Sequence, residues 1–232
     1  MSGCPEEMDM AYNEVMASGP AYDADGKPIE NVIFDFGQVL IDLDPEPVLL
    51  SGYSKELTDQ FFDNDRSGYR DASDVMDEGG TGAEAIEMVR EQHGEQWAEM
   101  FAYYLEHFDQ CPVGQMPGMS ELIDDLKGAS IGIWGLSNWG FETFRFVKDF
   151  PILRQLNDAV VSGYVKMSKP SRDIYEHALR RFAIPANTAV FVDDKAANIE
   201  GANEAGIRAV RFKDAQGLRR LLVEQGINIP LD

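Results

Sequence analysis

Residues 31–40 read Asn-Val-Ile-Phe-Asp-Phe-Gly-Gln-Val-Leu, so the apolar run Val32, Ile33, Phe34 ends in a single carboxylate, Asp35. A short, uninterrupted β-branched and aromatic run is the pattern of a strand buried on both faces, as in a parallel sheet covered by helices on both sides. Asp35 then emerges at the strand's carboxyl end, where open α/β sheets place their ligand crevice. An unpaired buried charge is costly, so packing does not account for a carboxylate there. The position suits a nucleophile, a metal ligand, or both. A second run, Thr188-Ala189-Val190-Phe191-Val192, ends the same way in Asp193-Asp194, and a helical pattern follows from Lys195 to Ala202. Two acidic strand ends brought together repel unless a cation lies between them. All-oxygen ligands suit a hard ion, and few protein ligands plus a phosphate favour magnesium over calcium. The alternative for Asp193 and Asp194 alone is helix capping, where Asp is favoured.

Two weaker signals join these. Residues 130–136 form another buried-strand pattern ending in Ser137-Asn138. A hydroxyl and free backbone N–H groups at a strand end make a cradle for phosphate oxygens, although Ser137 by itself is an ordinary turn residue. Lys169 precedes Pro170, which disfavours helical backbone at Lys169 and places it just before the next helix. A lysine held there neutralises a phosphate or a developing charge, whereas lone lysines are usually solvated.

In order and spacing, Asp35, Ser137, Lys169 and Asp193-Asp194 match the four motifs of the haloacid dehalogenase superfamily, which the chain resembles from about Asn31 to Ile227. It looks most like the sugar-phosphate phosphatases with a helical cap, including those acting on glucose 1-phosphate. The strings that carry the match are Phe34-Asp35-Phe36-Gly37-Gln38-Val39, Leu136-Ser137-Asn138, Ser168-Lys169-Pro170 and the segment from Val192 to Ala202. The resemblance implies an α/β fold with a doubly wound, Rossmann-like parallel sheet and a small helical cap domain. It also implies bound Mg2+ and an aspartyl-phosphate on Asp35. Catalytic roles fall to Asp35 and Lys169, and phosphate contacts to Ser137, Asn138 and Lys169. The metal ligands would be Asp35, the Gly37 carbonyl, Asp193 and Asp194, with Asn198 in support. The reaction expected is hydrolysis of a phosphoric monoester of a small metabolite, a sugar phosphate foremost. A metal-free 2-haloacid dehalogenase and a catalytically weak phosphate-binding protein are the rivals.

Gly37 departs from the family pattern. Most of these phosphatases carry a second aspartate there as general acid for the leaving alcohol, a role worth about 10²–10⁴-fold in rate. Either another acid supplies the proton or the natural leaving group is unusually good, and Asp44, His93 and His107 are the candidate replacements. Glycine at that point is also what a positive φ or a close backbone approach would require.

Composition sets the outer limits. In 232 residues, Lys+Arg 20 against Asp+Glu 41 give a formal net charge of -21, which argues against nucleic acid or an anionic membrane as partner. No apolar run approaches a membrane span, and Cys4 and Cys111 are too few for a disulfide framework, so a reducing cytoplasm is the expected location. The expected organisation is an acidic extension over residues 1–30, a core over 31–44 and 113–232, and a helical cap over 45–112. In the cap, Trp97, Met100, Phe101, Tyr104, Leu105 and Phe108 follow helical spacing, and Thr81 to Glu84 fits a capping box. A monomer or homodimer is expected.

Overall fold

A computed structural model describes residues 28–231. The acidic extension expected over residues 1–30 therefore lies mostly outside the described residues. Its last members belong to the sheet's lower rim: Ile29 is buried, and Glu30 donates to the Thr188 carbonyl and accepts from the Gly132 N–H.

Five parallel strands build the core: β1 (Asn31–Phe34), β4 (Gly132–Ser137), β5 (Asp158–Val161), β6 (Ala189–Asp193) and β7 (Arg208–Arg211), in the order β5-β4-β1-β6-β7. The chain leaves central β1, winds outward through β4 and β5, then returns past β1 to wind the other way through β6 and β7. This reversal leaves a crevice at the carboxyl ends of β1, β4 and β6. The predicted burial of β1 and β6 on both faces is observed. Val32, Phe34, Val190 and Val192 pack into the apolar cluster on one face of the sheet, while Ile33, Ala189 and Phe191 pack into the cluster on the other. Burying each large apolar side chain contributes roughly 1.5–3 kcal/mol. At the opposite edge, Asn31 links the three central strands: its amide donates to Thr188 Oγ1 at 3.2 Å, and its oxygen accepts from Trp134 Nε1 at 2.8 Å.

The helices on the faces are α7 (Met119–Gly128), α10 (Arg172–Phe182), α11 (Ala196–Glu204) and α12 (Ala215–Glu224), with the short α8 (Phe141–Phe144) and α9 (Ser162–Val165) near the crevice. Between β2 (Ile41–Leu43) and β3 (Pro112–Gln115) runs a wholly helical stretch: α1 (Glu46–Gly52), α2 (Lys55–Phe61), α3 (Asn64–Ser67), α4 (Tyr69–Asp77), α5 (Gly82–His93) and α6 (Glu95–Glu106). Its α5 opens with the expected capping box, since Glu84 N–H donates to Thr81 Oγ1 at 3.2 Å and Thr81 N–H to Glu84 Oε2 at 2.7 Å. Met100, Phe101, Tyr104 and Phe108 are buried as the spacing predicts. Two features are absent from the sequence reading. β2 and β3 pair antiparallel at the base of the helical stretch, and β5 adds an edge strand. Both are short and lack a strong apolar run, so periodicity does not reveal them. No helix among the described residues is long and apolar enough to cross a membrane.

One close approach ties the fold to the crevice. A Cβ at Gly201 in α11 would lie 2.3 Å from the Pro170 carbonyl oxygen, so only glycine lets the helix pass the loop that carries Lys169. Gly201→Ala should cost about 2 kcal/mol by overpacking against backbone, lowering the melting temperature by roughly 4–8 °C. Thermal denaturation checks this, and an unchanged melting temperature would contradict the close approach.

Candidate active site

Asp35 stands one residue beyond β1. Its N–H donates to the Val192 carbonyl at 2.9 Å, the last bond of the β1–β6 ladder, which fixes it level with the end of β6. Its two carboxylate oxygens have different surroundings. Oδ1 accepts from the Phe36 N–H at 2.7 Å, from Ser137 Oγ at 2.7 Å and from Lys169 Nζ at 3.0 Å. Oδ2 accepts no hydrogen bond from any described residue. Burial pushes the Asp35 carboxyl up to about 6; Lys169 pulls against this, the Asp193 charge adds to it, and the Ser137 hydrogen bond opposes it. One oxygen is thus anchored by three donors, and the other is left to react or to bind.

Lys169 lies behind this carboxylate with its side chain fully enclosed. Its ammonium donates to Asp35, to Asp193 Oδ2 at 2.7 Å and to the Leu136 carbonyl at 3.0 Å, which uses all three N–H groups. Burial by itself would lower this ammonium, but the Asp35 and Asp193 charges outweigh it and hold it above the ordinary lysine value. The loop bearing it is pinned by a reciprocal pair. Lys169 N–H donates to Asn138 Oδ1 at 2.8 Å, and Asn138 Nδ2 returns to the Lys169 carbonyl at 2.9 Å. Asp193 is fully buried and heavily engaged, because Asn198 Nδ2 reaches both its oxygens at 3.0 Å and the Lys195 N–H reaches Oδ1 at 2.8 Å. Asn198 thus orients Asp193 from the first turn of α11.

The crevice opens into a cavity of about 230 Å³. Asp35, Gly37, Ser137, Asn138, Asp194 and Asn198 line its floor, whereas Lys169 and Asp193 lie behind it. Asp35, Asp193 and Asp194 each offer one oxygen within 4.8 Å of the others. Three carboxylates outnumber the Lys169 and Lys195 ammoniums there, and burial followed by the Asp193 charge, against the pull of Lys195, holds Asp194 above the usual carboxylate range. This all-oxygen, charge-excess set fits a hard divalent cation, with Asp35 and Asp194 the members open to the cavity. Gly37 is not in the left-handed region, and a Cβ there would lie 3.2 Å from Leu43 Cδ1. Its backbone conformation therefore does not demand glycine, contrary to one reading of the sequence.

Three replacement acids suggested by the sequence lie elsewhere. Asp44 accepts from the Glu46 N–H at 3.1 Å ahead of α1, His93 Nδ1 pairs with the Arg66 carbonyl at 3.1 Å, and His107 Nδ1 pairs with the Tyr103 carbonyl at 2.8 Å. None of them lines the cavity. Each is instead engaged with nearby backbone. The helical stretch instead contributes Tyr69, Ser73, Met76, Asp77, Tyr104 and Leu105 to the cavity wall. The aromatic stripe read from its helical spacing thus also faces the crevice through Tyr104 and, beyond α6, Phe108. Asp77 escaped the sequence reading, although it carried a signal: a carboxylate as the last residue of a helix opposes the helix dipole.

Removing the central ammonium exposes what it holds together. Lys169→Met leaves two buried carboxylates facing each other unpaired, so the metal-free protein should lose about 3–5 kcal/mol of stability. Denaturant unfolding in the presence of chelator measures this. A variant as stable as the parent would show that Asp35 and Asp193 are not both ionised in the folded protein.

Comparison with known proteins agrees with this geometry. The family model described as haloacid dehalogenase-like hydrolase matches residues 32–212. The sesquiterpene phosphatase astK of Aspergillus oryzae is 26% identical over 98 residues, covering 42% of this chain and 50% of astK. Protein CbbY of Cereibacter sphaeroides is 30% identical over 118 residues, covering 46% of this chain and 51% of CbbY. The matched part thus spans about half the length of these curated relatives. Among solved structures, the family enzyme bt-2542 of Bacteroides thetaiotaomicron, in complex with magnesium and inorganic phosphate, superposes with a TM-score of 0.60 at 22% identity, covering 80% of this chain and 95% of that one. The family match runs through most of the sequence and takes in Asp35, Ser137, Lys169 and Asp193-Asp194, and the chain belongs to the haloacid dehalogenase-like hydrolase family.

Proposed function

We propose that this protein is a magnesium-dependent phosphatase that hydrolyses a small phosphorylated metabolite, a sugar phosphate foremost, through an aspartyl-phosphate on Asp35. The observation that carries this reading is the asymmetry of Asp35: Oδ1 is held by three donors while Oδ2 accepts none from the described residues. The phosphatase astK and the magnesium- and phosphate-bound bt-2542 support it. Oδ2 attacks phosphorus in line as the bond to the leaving oxygen breaks, and water then attacks the phosphoryl group and frees Asp35. Ser137, the Asn138 backbone and the Lys169 charge offset the charge on the phosphoryl oxygens. Asp35 and Asp194, with the Gly37 carbonyl and Asp193 beside them, would hold the magnesium. When bound, the ion neutralises phosphoryl charge and orients it for attack.

Residues 45–112 act as the cap in this reading. Tyr69, Tyr104, Leu105 and Phe108 complete a wall over the reacting end, excluding water and leaving room for a small leaving group. Flat aromatic walls beside the Ser73 hydroxyl suit a sugar, which has apolar ring faces and a polar edge. In the 2-haloacid dehalogenase reading, the Asp193-Asp194 pair would repel the carboxylate of an incoming substrate.

A panel of sugar phosphates, nucleotides and a 2-haloacid, assayed with magnesium, tests the proposal. Sugar phosphates should be turned over, chelation should stop turnover, and Asp35→Asn should remove it while the protein stays folded. Dehalogenation persisting in chelator would replace the phosphatase reading, and the absence of any turnover would favour a phosphate-binding role. Magnesium should also raise the melting temperature of the wild type and do so much less in Asp194→Asn. Equal stabilisation of both would remove Asp194 from the ligand set.

A further inference from the structure

With glycine at position 37, the family's usual proton donor to the leaving group is missing, and another group of the cavity must supply that proton. Among its lining residues the carboxyls are Asp35, Asp194 and Asp77, and the first two are committed to the nucleophile and the metal in the proposed function. Asp77 ends α4 and enters the cavity from the helical stretch, on the wall across from the strand ends. That wall is where the leaving group of a phosphoryl centre held at Asp35 must lie. Asp77 is half-buried, and its carboxylate makes no hydrogen bond or ion pair with any described residue. We propose, on the basis of the phosphatase reading, that Asp77 is the catalytic general acid that protonates the leaving oxygen, replacing the side chain that Gly37 lacks.

As Oδ2 of Asp35 forms its bond to phosphorus, the phosphorus–oxygen bond of the ester breaks and its electron pair passes to the leaving oxygen. That oxygen takes the carboxyl proton of Asp77 and departs as the alcohol. In the second half, the Asp77 carboxylate removes a proton from the attacking water as the new phosphorus–oxygen bond forms and the bond to Asp35 breaks. Inorganic phosphate and protonated Asp77 result.

The surroundings of Asp77 suit a proton donor. Burial pushes its carboxyl up to about 7; Lys195 pulls against this, while Asp74 on its own helix and Asp35 across the cavity add to it, and Lys169 opposes. The Tyr69 and Tyr104 phenols, both raised by burial, also act on it, and Asp194 lines the same cavity. A carboxyl so placed holds its proton near neutral pH and gives it up within reach of the same range.

An alkyl phosphate, whose leaving group needs a proton, and an aryl phosphate, whose leaving group hardly does, separate the possibilities. With Asp77→Asn, kcat/KM for the alkyl ester should fall about 10²-fold or more, and for the aryl ester by far less. In the wild type, alkyl-ester kcat/KM should fall as pH rises above about 7, where Asp77 loses its proton, and the aryl ester should not share that limb. Asn is isosteric and removes a half-buried charge, so the variant should fold, and its melting temperature confirms it. Equal losses on both esters in a folded variant, or no loss on either, overturn the role of Asp77 and leave the phosphatase reading standing. A wild type that hydrolyses neither ester overturns that reading, and the role of Asp77 falls with it.

Discussion

The Lys169 ammonium between Asp35 and Asp193 is the interaction on which the rest of the crevice depends. It is enclosed, and all three of its donors are used, so it acts as a fixed charge rather than a mobile one. Without it, two buried carboxylates at adjacent strand ends would repel strongly in a medium that screens poorly. Several otherwise unrelated features serve to place that one nitrogen. Asn138 grips the backbone of Lys169, Asn198 and the Lys195 N–H hold Asp193, and Gly201 lets α11 approach the loop. A buried ion network of this kind contributes little to stability by itself, which supports the chemistry proposed at Asp35.

The parallel sheet makes the network possible. Parallel pairing brings the ends of β1, β4 and β6 to one level, and the reversal of winding at β1 keeps helices from covering them. The helical stretch between β2 and β3 then covers the opening from the other side. Its aromatic residues pack among themselves, with Tyr69 and Tyr104 5.5 Å apart and Tyr104 and Phe108 also 5.5 Å apart, so the wall they present is stiff. In the proposed function, acidic chemistry on the sheet and a mostly apolar wall on the helices would separate the reacting end of a ligand from the end that identifies it.

Both carboxylate clusters were visible as patterns because a buried strand announces itself by composition and its end by the first charge. Asp35 and Asp193-Asp194 are therefore readable from local sequence, and so are the helices with clear apolar stripes. The edge strand β5 and the β2–β3 pair were not, since edge positions tolerate polar residues and short ribbons lack a period long enough to detect. Asp44, His93 and His107 seemed eligible as acids because their chemistry is right. Only the folded cavity, whose lining includes none of them, shows otherwise.

What the sequence determined by itself is the alternation of strand and helix, the acidic strand ends, and the absence of a side chain at Gly37. These are local properties: periodicity, composition and the identity of single residues. What only the tertiary structure decided is which groups meet. Lys169 reaches Asp35 and Asp193 across 134 and 24 residues of chain respectively. Asp77 enters the same cavity from a helix with no sequence proximity to any strand end. Whether a carboxylate is paired, exposed or left to hold a proton depends on neighbours brought in by folding. Desolvation and charge set its behaviour, and neither is a property of the residue taken alone.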